Sequence, residues 1–345
     1  MEIKKGDKTK ALTIKDIANL AGVSVASVSY VINGKKGVGP EQREKIERII
    51  SWHHFRPNQN SRGLSLSKSF NIHAVIRREA APACKNFYFG VLSKMMDLIE
   101  CRQYNIVPAY QSDDPADKNI MSVIQNKNTD GILFFQGIRK DIVKMAANKK
   151  IPHVIINPGL EENNVPSVLL DFERMTFQVA QFLAEKGHTR IGFIGMQSMP
   201  LFFRQTLDGF TKAMRQYRFR ADKAWIRGEA FNEESAETSM RRILRCKVLP
   251  TAIVCTQDNF AVSAVNAAKT AGYRVPRDIS FISIDDLPMA KYLDPPLTTI
   301  PVDQTELAFC ACELLFDFME GKAVRNITIP AKEIIVRDSV RILKP

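Results

Sequence analysis

Residues Thr13–Asn33 read TIKDIANLAGVSVASVSYVIN. The apolar spacing in that stretch predicts two short helices joined by a tight turn. In the first helix Ile14, Ile17, Ala18 and Ala21 recur at i, i+3, i+4 and i+7, which gathers them on one face. Thr13 is placed to cap the N-terminus, with Asp16 three residues on in a box-like arrangement. Gly22 supplies the turn and Ser24 caps the second helix. There Val28, Val31 and Ile32 form the buried stripe, leaving Val25, Ala26, Ser29, Tyr30 and Asn33 outward. Such a pair reads DNA when the first helix braces the second, whose N-terminal half enters the major groove. The same pattern occurs in ordinary helical cores, so the surrounding sequence has to decide.

Charge is the first discriminator. Of a net +12, residues 1–68 carry 13 Lys+Arg against 6 Asp+Glu, so +7 sits in the first fifth of 345 residues. A compact basic headpiece suits a polyanionic partner, although a solvated positive surface gives the same count. Residues 1–10 read as a basic lead-in. After GKKGVG, Pro40 occupies a first helical position with Glu41 in the first turn. Ile46, Ile49 and Ile50 then predict a third helix closing a core over Ile17, Val28 and Ile32. His53-His54 reads as an exposed helix end in preference to a metal or pH site.

From residue 71 the rhythm becomes strand, helix, strand. Apolar runs at His73–Ile76, Ile106–Tyr110, Gly131–Phe135 and Val154–Ile156 alternate with helical stretches near 88–102, 116–127 and 139–148. A second series has strands at Ile191–Ile194, Ala252–Cys255 and Ile279–Ile284, with helices near 173–186, 204–217, 234–245 and 260–271. Gly187 and Gly272 stand where helix C-caps belong. This alternation predicts an α/β body of two doubly wound lobes with a cleft at the carboxyl ends of the strands.

Several classes find no support. GFIG at 192–195 lacks the third glycine and downstream acid of a dinucleotide fingerprint, and neither a Walker loop nor a G-x-S-x-G elbow occurs. No cofactor, metal site or catalytic set is therefore expected, and an enzyme using the cleft is a distant rival. The six cysteines show no paired metal spacing, and Cys310-Ala-Cys312 falls in a helical apolar pattern. Reduced thiols, no membrane span, and no hydrophobic leader in MEIKKGDKTK lead us to expect a cytoplasmic protein.

TIKDIANLAGVSVASVSYVING, followed by VGPEQREKIERII and FRPNQNSRGL, resembles the headpiece of the lactose/galactose repressor (LacI/GalR) family of bacterial transcription regulators. The similarity continues in family order through EKGHTRIGFIG, FRQTLDGF, VPRDISFISIDD and PPLTTI. It implies a three-helix helix-turn-helix headpiece at 1–57, a hinge helix or linker at 58–70, and an effector-binding and dimerisation body at 71–345. That body would be type I periplasmic-binding-protein-like, with an N-lobe at about 71–170 and 300–329 and a C-lobe at about 171–299 and 330–345. The hinge would order beside its twin on DNA, with Leu64 as an apolar wedge in the minor groove; an ordinary flexible linker is the alternative.

The resemblance further implies DNA contacts at Thr13, Ser24, Val25, Ala26, Ser27, Ser29, Tyr30, Asn33, Asn58, Arg62 and Leu64. Effector contacts are implied at Phe87, Tyr88, Asp171, Arg204, Gln257, Asp258 and Asp285, although each also fits a surface ion pair or a cap. The expected partners are double-stranded operator DNA, a second copy of the chain, and a small-molecule effector such as a sugar or sugar phosphate; a protein corepressor or a solute-binding role is the alternative. Three departures from the family pattern stand out. Arg77-Arg78-Glu79 follows the first body strand and could favour an anionic ligand. Ser283 replaces the glycine of the usual G-F-D-D. Tyr30 stands where the family usually carries an arginine on the recognition helix, and a tyrosine cannot read guanine through two hydrogen bonds.

Overall fold

The computed structural model describes residues 12–32, 35–53, 55, 68–79, 81–114, 116–157 and 165–343. The chain divides into two compact units, residues 1–70 and 71–345. Asn33, His54, Asn58, Arg62 and Leu64 lie outside the described residues, as do the basic lead-in and nearly all of the connector.

The first unit contains α1 (Ile14–Ala21), α2 (Val25–Ile32) and α3 (Pro40–Trp52). The Thr13–Asp16 capping box forms, and Gly22 at φ 67° closes α1 in the left-handed conformation that a Cβ disfavours. Ile17, Ala18, Ala21, Val28, Val31 and Ile46 are buried together, joined by Phe55 beyond α3. Ile32, Ile49 and Ile50 pack on that core only partly buried, so Val28 and Val31 are deeper in the α2 stripe than Ile32. The unit has few buried side chains, and each carries a large share of its stability.

The second unit is built from two parallel sheets. The larger runs β11-β5-β4-β3-β1-β2, formed by Ile327–Ile329, Ser167–Leu170, His153–Ile156, Gly131–Phe134, Asn71–Arg77 and Asn105–Gln111. The smaller runs β10-β9-β8-β6-β7, formed by Thr298–Pro301, Ser280–Asp285, Ala252–Cys255, Ile191–Ile194 and Ile226–Arg227. β3, β4, β6 and β8 are buried along their whole length, as parallel strands covered on both faces must be. Pro108 is tolerated in β2 because that strand lies at a sheet edge.

Helices α4 (Ala81–Cys101), α5 (Asn119–Gln125), α6 (Lys140–Asn148), α7 (Phe172–Glu185), α8 (Pro200–Tyr217), α9 (Glu233–Ile243), α10 (Asp258–Thr270) and α11 (Gln304–Met319) cover the sheets. Gly209 lets α8 approach α7 closely, since a Cβ there would strike the backbone carbonyl of Glu173. Gly187 and Gly272 both sit at φ 90°, just past the ends of α7 and α10, as the sequence predicts.

The chain passes between lobes three times. It leaves β5 for α7, returns after β10 to lay α11 against the first sheet, and crosses again after β11. The final segment is stitched into the second lobe. Ile335 bridges Thr299, Ser339 accepts from Phe281 N–H at 2.9 Å, and Leu343 N–H donates to Lys186 C=O at 2.8 Å. Short strands β5, β7, β10 and β11 have no signature of their own in the sequence. Polar residues cut their apolar runs shorter than the four residues of β6 and β8 (Ser167 in β5, Thr298 and Thr299 in β10, Thr328 in β11), and β7 has only two residues.

Candidate functional site

Two surfaces carry candidate chemistry, one in each unit. On the headpiece, the Thr13 hydroxyl and backbone N–H both donate to Asp16 Oδ2 at 2.7 Å, committing that side chain to the cap. Ser24 Oγ accepts from Ser27 N–H at 3.1 Å and lies 2.9 Å from the Ser27 hydroxyl. These caps fix where α2 begins, and hence which side chains stand outside. Val25, Ala26 and Tyr30 are exposed, with Val25 at 41 % and Tyr30 at 42 %, whereas Ser27 and Ser29 are half-buried.

One side of the Tyr30 ring is braced by Gly37 (φ 119°), where a Cβ would lie 3.3 Å from the ring carbons. The loop behind it is pinned as well. Lys35 N–H donates to Tyr30 C=O at 2.9 Å, and the Arg43 guanidinium donates to Lys35 C=O at 2.6 Å. Lys15, Lys35, Lys36 and Lys45 are exposed in the same small unit, a density of ammonium groups suited to phosphates.

The second surface is the cleft between the two lobes of the body. Its walls come from residues just past the carboxyl ends of strands and from the first turns of helices, the expected position in doubly wound sheets. The cleft and the solvent space at its mouth together amount to about 560 Å³. Phe87, Tyr88, Phe135, Phe172 and Phe202 supply aromatic walls, and Cys84, Ile156, Met196, Met199 and Leu287 add apolar ones. Phe172 and Phe202 meet edge-on at 4.7 Å, and Tyr88 meets Phe135 likewise at 5.1 Å, so the rings brace each other.

The polar lining is Gln136, Asn157, Gln257, Asn259 and Asp285. Asn157 Oδ1 accepts from Leu170 N–H at 2.7 Å, and Asn259 Oδ1 from Asn86 Nδ2 at 3.4 Å across the cleft. Gln257 Nε2 donates to Cys84 Sγ at 3.4 Å, also between lobes. Burial pushes the Cys84 thiol up to about 12 and holds the Tyr88 phenol well above its ordinary range. Both therefore face the cleft uncharged. Burial, with the Asp258 carboxylate second, also raises Asp285 well above the usual carboxylate range.

The structure thus brings Phe87, Tyr88, Gln257 and Asp285 together at the cleft and leaves three other sequence candidates elsewhere. Asp171 caps α7, accepting from Arg174 N–H at 2.9 Å. Asp258 is fully buried one residue beyond Gln257. Its carboxylate accepts from the Ser283 hydroxyl at 2.5 Å, Leu287 N–H at 2.6 Å and the Thr299 hydroxyl at 2.9 Å, which ties the loop after β9 to β10. Ser283, the departure from glycine, is thus a structural donor to Asp258. Arg204 is exposed on α8, about 200° around the helix from the cleft-lining Phe202. The Arg77-Arg78 pair is also engaged. Arg77 pairs with Asp113, with Glu79 at 3.9 Å, and donates to Ser198 C=O of the other lobe at 3.3 Å. The Arg78 guanidinium stands 5.3 Å over the Tyr110 ring.

The residues that sequence reasoning missed include Phe135, Gln136, Asn157, Phe172, Phe202 and Asn259, with the sulfur-bearing side chains at 84, 196 and 199. Most follow a strand end or begin a helix by one to three residues, and that position is the signal that would have found them. Among the described residues no group of three His, Cys, Asp or Glu is placed to hold a metal, and no helix is long and apolar enough to cross a membrane.

Comparison with known proteins bears on both surfaces. A model of bacterial regulatory proteins of the lacI family matches residues 13–58, and one of periplasmic binding protein-like domains matches residues 180–340. The ribose operon repressor of Haemophilus influenzae is 28 % identical over 334 residues, covering 96 % of this chain and 99 % of that protein. The repressor PurR of Mannheimia succiniciproducens is also 28 % identical, over 95 % and 98 % of the two chains. Among solved structures, the lac repressor dimer bound to operator and an anti-inducer shares the fold at TM-score 0.80 and 22 % identity, over 96 % of this chain and all of that one. A regulator CelR–cellobiose complex matches at TM-score 0.71 and 24 % identity, over 95 % and 99 %.

Proposed function

We propose that this chain is a member of the lacI family of bacterial regulatory proteins, a DNA-binding transcriptional regulator that binds a roughly palindromic operator as a cytoplasmic homodimer whose grip is set by a small molecule in the body cleft. The observation that carries this reading is the capped α2, with Val25, Ala26 and Tyr30 held outward over a well-buried core. Two copies of such a unit suit a two-fold DNA site. Residues 1–57 act as the reading module and 58–70 as the connector, with Asn58, Arg62 and Leu64 contributing backbone contact and the wedge. Exposed lysines supply phosphate contacts, which make affinity fall with salt.

In the body, Phe87, Tyr88, Gln257 and Asp285 hold the effector. The interlobe pairs Gln257–Cys84, Asn86–Asn259 and Arg77–Ser198 give the two lobes a defined closed arrangement. A ligand that prefers one arrangement shifts the equilibrium by no more than its differential affinity for the two. A gel shift of the full chain on DNA upstream of its own locus tests the reading at moderate salt. Discrimination against random duplex is expected, and its absence overturns the reading. Tyr30→Arg sharpens the test by moving base preference toward guanine at one operator position, with discrimination of about 1–3 kcal/mol.

A further inference from the structure

We propose that the cleft ligand is an uncharged molecule with a flat aromatic ring and an N–H or O–H donor at one edge, neither a sugar phosphate nor a polyol. The inference rests on the cleft being the effector site. Three observations carry it. Among the described residues no Arg, Lys or His lines the cavity, and of the two arginines after β1 Arg77 is paired with Asp113 and Arg78 stands over the Tyr110 ring. A phosphate buried there would therefore meet no counter-charge, an arrangement that desolvation penalises heavily.

Second, the walls are rings and thioethers: Phe87, Phe135, Phe172 and Phe202 with Met196 and Met199. Such surfaces reward a flat apolar face by ring–ring and sulfur–ring contact. A polyol needs a partner for every hydroxyl that it buries. Here the Asn157 and Asn259 amide oxygens already accept bonds, and the Gln257 amide nitrogen already donates one.

Third, one strong acceptor stands ready. Gln257 lines the cavity at 7 % exposure, and its Oε1 is buried with no hydrogen-bond partner. Buried acceptors in folded proteins are nearly always satisfied. A ligand donor at that point completes the site, and Asp285 on the same wall takes a second donor.

The test is a thermal-shift and calorimetric titration of the full chain against three probe sets: adenine, indole and 4-hydroxybenzamide; glucose and ribose; glucose 6-phosphate and ribose 5-phosphate. At least one ring compound is expected to bind more than tenfold tighter than every sugar and sugar phosphate. Gln257→Leu should weaken that binding about tenfold while its far-UV circular dichroism spectrum, which reports folding, matches that of the wild type. Tighter binding of a sugar or sugar phosphate, a flat response to all three rings, or equal ring binding by Gln257→Leu each overturns the inference. The first of these leaves the cleft standing as effector site. Should the tightest probe bind undiminished when Phe202→Arg fills the cavity, the cleft reading itself fails.

Discussion

The headpiece and the cleft solve recognition in opposite ways. The headpiece faces outward from consecutive residues, so its specificity depends on where a short helix starts. Two local caps, Thr13–Asp16 and Ser24–Ser27, settle that start. The cleft faces inward and draws its lining from positions 84 to 287, which only the closed sheets bring together. A small core with exposed reading side chains is fragile in its packing and tolerant at its surface. A cavity walled by interlocked rings is tolerant of surface change and sensitive to shape.

The contrast is broken most forcefully in the smaller core. Ile17 is fully buried among only seven core residues, so Ile17→Ala should cost about 2–5 kcal/mol and unfold the headpiece. Operator binding should vanish while ligand titration of the body is unchanged. Loss of both would show that the units are not energetically separable.

The body's largest expected response is to pH. His188 is 1 % exposed, with Nε2–H donating to Arg341 C=O at 3.1 Å and Nδ1 2.9 Å from the Thr251 hydroxyl. Burial lowers its pKa to about 4 from the usual 6.5. The unfolded chain therefore binds more protons between those values, and stability should fall as pH drops from 6.5 to 4, by up to about 3 kcal/mol. Denaturant midpoints at pH 4.5 and 7.5 should differ in the wild type and converge in His188→Asn. An equal difference in both proteins would assign the pH dependence to other groups.

Smaller still is the cost of crowding a helix pair. Gly209→Ala should destabilise the body by about 1–3 kcal/mol, because the new methyl meets the Glu173 and Phe177 backbone. A melting temperature at or above that of the wild type would mean that α7 and α8 slide apart freely.

How far each region was legible follows from the same contrast. The helix-turn-helix, its caps and its outward face could be read directly because every determinant lies within twenty residues. Strands with unbroken apolar runs were legible with their helices from apolar rhythm, β6 and β8 at the right residues. Cleft membership was only partly legible, with Phe87, Tyr88, Gln257 and Asp285 named from the sequence and the other lining residues not. Arg204 and Phe202 are two residues apart with opposite fates, because a helix turns about 100° per residue and only the packed structure sets its phase. Asp258 and Gln257 are adjacent, yet one is locked into Ser283, Leu287 and Thr299 while the other faces the cavity.

The smallest effect sharpens that lesson. Thr13→Ala and Asp171→Ala each remove one helix cap, at about 1 kcal/mol. The first should lower operator affinity, and the second should leave effector affinity within twofold. A tenfold loss of effector binding in Asp171→Ala would return that residue to the cleft.

The returning segment at 335–343 has a bearing on how the molecule is made. During synthesis the headpiece emerges first, with every residue of its core in hand. The second lobe must wait for Ser339 and Leu343, which pair with Phe281 and Lys186 laid down long before. A nascent chain thus carries a finished helical headpiece ahead of an unfinished second lobe, which closes only once Leu343 has been made.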